Sequence, residues 1–253
     1  MILLYIIQIS KVFISICSFG SMNNSMLLEA VKNFGSPLYI YDSNKIKKQY
    51  ERLISSFSAV KQLQINYAVK ALSNISILKY IINLGSGIVA VSIQEVQLAL
   101  KCGIKPTKII YTPNGVSMDE MKKVSELGVK INIDNLSVLE DFGNKNPKIP
   151  ICIRINPHIM AGGNSKISVG HIDSKFGISI HQIPHLLRIV ENTKITVNGI
   201  HMHTGSDILD IDVFLRAAEI LFEAAKNFNQ LEFIDFGSGF KVPYFPNDSE
   251  TNI

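Results

Sequence analysis

From residue 63 onward the chain alternates between two incompatible periodicities, and this alternation limits its fold more than any other feature. Short β-branched runs read as strands: LQINYAV (63–69), GIVAVS (87–92), KIIYT (108–112), VKINID (129–134), IPICIRI (149–155), ITVNGIH (195–201) and EFIDF (232–236). Between them lie segments with helical spacing, among them 75–85, 93–103, 118–128 and 212–228. Gly85, Gly103 and Gly128 stand where helix C-caps are expected. Strands that alternate with helices pair in parallel, joined by right-handed crossovers. The runs are apolar on both faces, as a sheet covered by helices requires.

Two architectures meet this pattern, a doubly wound sheet and a closed (β/α)8 barrel. No G-x-G-x-x-G follows the first strand, as a dinucleotide-binding sheet would often show. The polar residues that could do chemistry all fall just after strands, the face where barrel enzymes build their sites. A TIM-like α/β barrel is therefore expected, although a closed barrel needs eight strands and only seven are legible. The division expected is an apolar leader at 1–21, a helix/strand segment at 22–62, an incomplete barrel at 63–244 and a polar tail at 245–253. In the second segment, Ser43 is the expected N-cap of a basic amphipathic helix.

Composition serves mainly to exclude. A net charge of +4, with lysines spread along helices, gives no basic block for a nucleic acid. Three cysteines, Cys17, Cys102 and Cys152, have no metal or redox spacing, which favours a reducing, cytoplasmic setting. The first 20 residues have no positive charge before the apolar run and Lys11 within it, so they fit a signal peptide poorly and a membrane span marginally. An over-long start, with the working protein beginning at Met22 or Met26, is the preferred reading.

Four places could carry chemistry. Lys70 stands where the first barrel strand stops, between apolar Val69 and Ala71. Lost solvation there would lower its pKa and free an amine for nucleophilic or Schiff-base work; a rim lysine in water is the plain alternative. His201 and His203, in GIHMHTGS, point to one side of a strand. As metal ligands they would need partners that the later strands do not offer, Asp235 being the one acid there, so no metal site is expected. A flat imidazole can instead stack on a planar cofactor, with Gly205 and Ser206 offering an amide and a hydroxyl to a phosphate. Gly237, Ser238 and Gly239, directly after the seventh strand, expose backbone N–H groups as a phosphate nest does, at the place where barrels hold phosphate. Arg154, at the end of the fifth strand, sets a fixed cation in the mouth. A lysine, a stacking histidine and a glycine-serine cradle together describe pyridoxal phosphate.

These residues sit in FGSPLYIYD, NYAVKA, VSIQEVQLAL, YTPNGVS, RINPH, AGGN, DSKFGIS, HMHTGSD and DFGSGF, in that order from about Ser36 to Tyr244. The set resembles the fold-type III pyridoxal-phosphate decarboxylases, most closely those acting on diaminopimelate. The resemblance implies a barrel of the alanine racemase-like type and decarboxylation of meso-2,6-diaminopimelate to L-lysine, in a homodimer. It implies that Lys70 bonds to the cofactor, that His203 stacks on its ring, that Ser206 with Gly237, Ser238 and Gly239 hold its phosphate, and that Arg154 lies near the ring. A non-catalytic cofactor carrier and a decarboxylase of another basic amino acid or a polyamine precursor stay open.

Three departures stand out. Val89 occupies a usually acidic position, and Ser238 replaces a glycine. Nor does the sequence contain the Glu-Pro-Gly-Arg motif of the family's eighth strand or the β-domain that follows it. The expectation is that this is the N-terminal part of a longer enzyme.

Overall fold

The computed structural model describes residues 2–5 (backbone), 22–159, 174–245 and 247–253. Most of the apolar leader and the AGGN stretch lie outside the described residues. Ahead of the barrel, β1 (Ile2–Tyr5) pairs antiparallel with β2 (Tyr39–Asp42), between which lies α1 (Asn24–Phe34); α2 (Ser43–Ser56) follows. The cap of α2 is not Ser43. It is Asp42, whose carboxylate accepts from the N–H groups of Asn44 and Lys45, at 2.9 and 3.2 Å. A carboxylate there also meets the positive end of the helix dipole.

All seven expected barrel strands form: β3 (Asn66–Ala68), β4 (Gly87–Ala90), β5 (Ile109–Tyr111), β6 (Lys130–Ile133), β7 (Ile151–Asn156), β9 (Val197–Met202) and β10 (Phe233–Asp235). They pair in parallel in the order β10-β9-β7-β6-β5-β4-β3, and a two-residue β8 (Ile178–Ser179) adds to the end of β7. The helices are α3 (Ile75–Asn83), α4 (Ile93–Lys101), α5 (Met118–Glu126), α6 (Leu136–Lys145), α7 (Ile183–Thr193) and α8 (Ile211–Ala225). Side-chain caps at Asn74, Ser92, Ser117, Asn135 and Asp210 start five of them within a few residues of the preceding strand or loop. Gly85, Gly103 and Gly128 adopt positive φ after α3, α4 and α5, where helix ends were expected.

Alternation sorts each strand into two faces. Ile88, Ile109, Tyr111, Ile131, Ile133, Ile151, Ile153 and Ile200, buried to within about 1% exposure, form the layer under the helices with Val96, Val124, Leu139, Phe142, Leu186 and Leu221. The opposite parity faces the barrel interior. There the Phe233 ring fills the space over Gly199, where a Cβ would come within 2.2 Å of it. Lys130 Nζ lies 4.3 Å from the centre of the same ring. Because β6 and β10 are not neighbours in the sheet, this contact crosses the interior and floors it.

The segment at 249–253 packs back onto the barrel. Thr251 is buried; its hydroxyl donates to the Ile208 carbonyl and accepts from Lys241 N–H, both in short bonds (2.5 and 2.7 Å). Arg52 of α2 pairs with Glu250 at 3.1 Å, so the chain end is held against α2.

Candidate active site

Lys70 sits just past β3, in a single 3-10 turn, Val69–Ala71. Val69 is fully buried and anchors the turn, and the Tyr67 hydroxyl donates to the Leu72 carbonyl across it. The strand stops at Ala68, two residues before the lysine, and Lys70 itself is exposed. Of the two readings of this lysine, the exposed one holds: Val69 takes the buried position and Lys70 stays accessible at the rim. The Lys70 charge nevertheless depresses the pKa values of both His201 and His203. It thus acts across the barrel mouth on the strands farthest from it in the sheet.

On those strands Arg154, His201 and Asp235 stand in register and so point into the interior side by side. Arg154 is 7% exposed, and its Nη2 donates to the His203 carbonyl at 3.5 Å, while its guanidinium lies 4.9 Å from the Phe176 ring centre. Burial lowers the Arg154 pKa, and Asp134 and Asp235 oppose that shift. Burial raises the Asp235 carboxyl, although the Gly237 N–H donates to it at 2.8 Å. His203, just beyond β9, is held down to about 3, first by burial and then by Arg154, His201 and Lys70. His201 is pushed well below its ordinary value by burial, Arg154 and Lys70. Both imidazoles are thus neutral, flat groups at pH 7.

Two glycine turns close the far side. Gly237 (φ +64) passes so near the end of β9 that a Cβ would lie 2.5 Å from the Met202 carbonyl. Gly239 (φ +126) is tighter, its Cβ falling 1.9 Å from the Gly205 carbonyl. Only glycine suits such a position, through both its conformation and its missing side chain. The turns are tied by hydrogen bonds from Ile208 N–H to the Gly239 carbonyl (2.9 Å) and from Lys241 N–H to the Ile208 carbonyl (3.1 Å). Ser206, Gly237 and Ser238 remain exposed beside one another's loops.

The structure therefore groups Arg154 on β7 with His203 and Ser206 after β9 and Gly237, Ser238 and Gly239 after β10, with Lys70 at the other end of the sheet. Among the described residues no group of three or more His, Cys, Asp or Glu side chains could hold a metal. Site-lining residues outside the expected set are Asn132, Asp134, His201 and Asp235. Asn132, 2% exposed on β6, bonds His201 Nδ1 at 2.7 Å, while its Oδ1 meets no donor. Two open surface depressions lie elsewhere: about 640 Å³ against α2 at Tyr50 and Ile54, and about 370 Å³ between Asn156 and Gln182.

Residues 43–253 match the family model described as "Pyridoxal-dependent decarboxylase, pyridoxal binding domain". The chain is 36% identical over 233 residues to the diaminopimelate decarboxylase of Methanothermobacter thermautotrophicus, covering 89% of this chain and 54% of that protein. It is 35% identical over 232 residues to the Campylobacter jejuni enzyme of the same name, covering 88% and 58%. The crystal structure of diaminopimelate decarboxylase from Helicobacter pylori complexed with L-lysine superposes with a TM-score of 0.74 at 32% identity, covering 84% of this chain and 56% of that one. The chain thus spans a little over half the length of the curated relatives it matches. The residues present fit the cofactor that the family name specifies. They offer an exposed primary amine, an uncharged flat imidazole, a buried acceptor that no protein group satisfies, and two tight glycine turns beside an exposed serine. By its matched domain, its barrel and this set of side chains, the chain belongs to the pyridoxal-dependent decarboxylases.

Proposed function

We propose that the protein spanned by this chain decarboxylates meso-2,6-diaminopimelate to L-lysine and carbon dioxide. The observation that carries the reading is the convergence of Arg154, neutral His203 and the two glycine turns at one barrel mouth, faced by Lys70, in a chain whose relatives are named diaminopimelate decarboxylases. Bound there, pyridoxal phosphate supplies an aldehyde carbon and an electron-withdrawing ring.

The chain's own residues hold it in stated ways. Lys70 offers the amine that bonds the aldehyde carbon. Its place on a short turn anchored by Val69 would keep that amine accessible at the rim of the site. His203 stacks on the ring; held near pKa 3, it stays uncharged through the working pH range and adds no third cation beside Lys70 and Arg154. Amide N–H groups of Ser238 and Gly239, with the Ser206 hydroxyl, would bind the phosphate oxygens as a backbone nest does, while Gly237, its own N–H held by Asp235, shapes the turn. Arg154 is kept charged by Asp134 and Asp235 and is aimed by its bond to the His203 carbonyl, so it faces an anionic oxygen. A homodimer in the cytoplasm completes the reading; Cys102 and Cys152, both free thiols, are compatible with a reducing compartment.

The test uses the full-length protein with pyridoxal phosphate, offered meso-diaminopimelate, ornithine, arginine and carboxynorspermidine separately. L-lysine and carbon dioxide from the first alone, lost in Lys70→Ala, is the expected result. Turnover of another substrate, or cofactor bound with no carbon dioxide released, overturns it.

A further inference from the structure

Among the described residues, the Asn132–His201 pair is a buried polar contact on the interior wall to which the proposed cofactor cradle assigns no role. Asn132 stands on β6 and His201 on β9, with β7 between them in the sheet. Their 2.7 Å contact therefore reaches over β7, through the interior and above fully buried Cys152. The same Asn132 amide nitrogen reaches Thr112 Oγ1 on the β5 side at 3.3 Å. Both amide donors are thereby used and one acceptor, Oδ1, is left over. Turning the amide round would leave two buried N–H donors unpaired instead, which costs more.

An amide nitrogen can only donate. Nδ1 of His201 must then accept with its lone pair, and the ring's single proton sits on Nε2. We infer that Asn132 is a positioning residue: through Thr112 on one side and His201 on the other, it fixes His201 as the neutral Nε2–H tautomer in the wall of the site. The titratable groups around the ring are Arg154, Asp235, His203, Lys70 and Cys152. A protonated His201 would add a cation next to Arg154, at the place where its neighbour His203 must stay neutral. The pair instead presents one N–H donor and one unused acceptor to whatever binds there. That this occupant is pyridoxal phosphate rests on the function proposed above; the tautomer does not.

The experiment is long-range 1H–15N correlation on the full chain labelled with 15N-histidine, with His201 assigned by the signals missing from His201→Gln. The expected spectrum has unprotonated Nδ1 and protonated Nε2. Asn132→Ala should give mixed tautomers, and Asn132→Asp an imidazolium with both nitrogens protonated. A proton on Nδ1 in the wild type, or an unchanged tautomer in Asn132→Ala, overturns the inference. Where Asn132→Ala does not fold, the wild-type spectrum and Thr112→Val, which frees one amide donor without opening the core, still decide it. Pyridoxal phosphate affinity of the same proteins is the second readout. Asn132→Ala should weaken it by about tenfold, the size of one buried hydrogen bond. If no protein binds the cofactor while the tautomer is as expected, the functional reading fails and the positioning role stands. If the cofactor binds equally to the wild type and to Asn132→Ala, the positioning role fails.

Discussion

The two halves of the barrel wall are built alike and lined differently. On β3, β4 and β5 the register places Ala68, Val89 and Ile110 side by side on the interior face. On β7, β9 and β10 the equivalent row is Arg154, His201 and Asp235. The first row is small and apolar, and its one reactive group, Lys70, is an exposed residue beyond the strand. The second buries ionisable groups at an evident cost: burial moves Arg154 and His203 down and Asp235 up. Buried charges are retained where they serve chemistry or specificity, since packed apolar residues would serve stability as well or better. In the function proposed above, β7, β9 and β10 would be the half that grips a bound molecule, and β3 the half that delivers a single amine to it.

The sharpest way to break the gripping half is at Gly239. Gly239→Ala sets a Cβ 1.9 Å from the Gly205 carbonyl at φ +126. Strain and collision together should cost on the order of 3 kcal/mol and separate the two turns. Chemical denaturation and loss of pyridoxal phosphate binding would check it; a variant as stable as the wild type would show that the turns are not tightly packed.

Acid should come next. His203 has a folded pKa of about 3 against an ordinary 6.5, so the unfolded chain binds a proton that the folded one refuses. Stability is full above pH 6.5 and is lost progressively as pH falls towards 3, by up to a few kcal/mol. Removing the Arg154 charge raises the His203 pKa and narrows that window. Unfolding of wild type and Arg154→Leu followed from pH 7 to 4 should therefore show a shallower decline in the variant, whatever its stability at pH 7.

Removing the buried Thr251 hydroxyl tests the strap that holds the Ile208 loop beside the second glycine turn. Thr251→Val removes the hydroxyl from the Ile208 carbonyl and Lys241 N–H, which keep their bond to each other, and should cost about 1 kcal/mol. The apolar half should respond least. Ile110→Val, which removes one methylene beside Val89, should cost about 1 kcal/mol and leave cofactor affinity unchanged. A large loss of affinity there would erase the contrast between the halves.

Most of this architecture was legible because parallel strands buried on both sides announce themselves as β-branched runs, and all seven appear within a few residues of their expected bounds. The rest has local causes. Asp42 caps α2 in place of Ser43 because its carboxylate satisfies two N–H groups from one residue earlier. At Lys70, where the sequence leaves a desolvated and an exposed lysine both open, the exposed one holds because the backbone has already left the strand for a 3-10 turn. The candidate residues that sequence reading proposes lie mostly in loops with unusual residue types, as at HTGS and GSG. Residues inside strands carry a weaker signal. Asn132 is not among those candidates, yet it interrupts an apolar run, and a polar residue within a doubly covered strand is itself the signal that could have found it. Its partner across the interior, however, depends on strand order rather than on spacing.

The measurement that bears most directly on the whole reading is reductive trapping: the full chain is mixed with pyridoxal phosphate, reduced with borohydride, digested and mapped by mass. The gripping half and the delivering half together predict one pyridoxyl group, on the peptide containing Lys70, with none in Lys70→Ala. Modification spread over surface lysines, or an unchanged yield in Lys70→Ala, would contradict it.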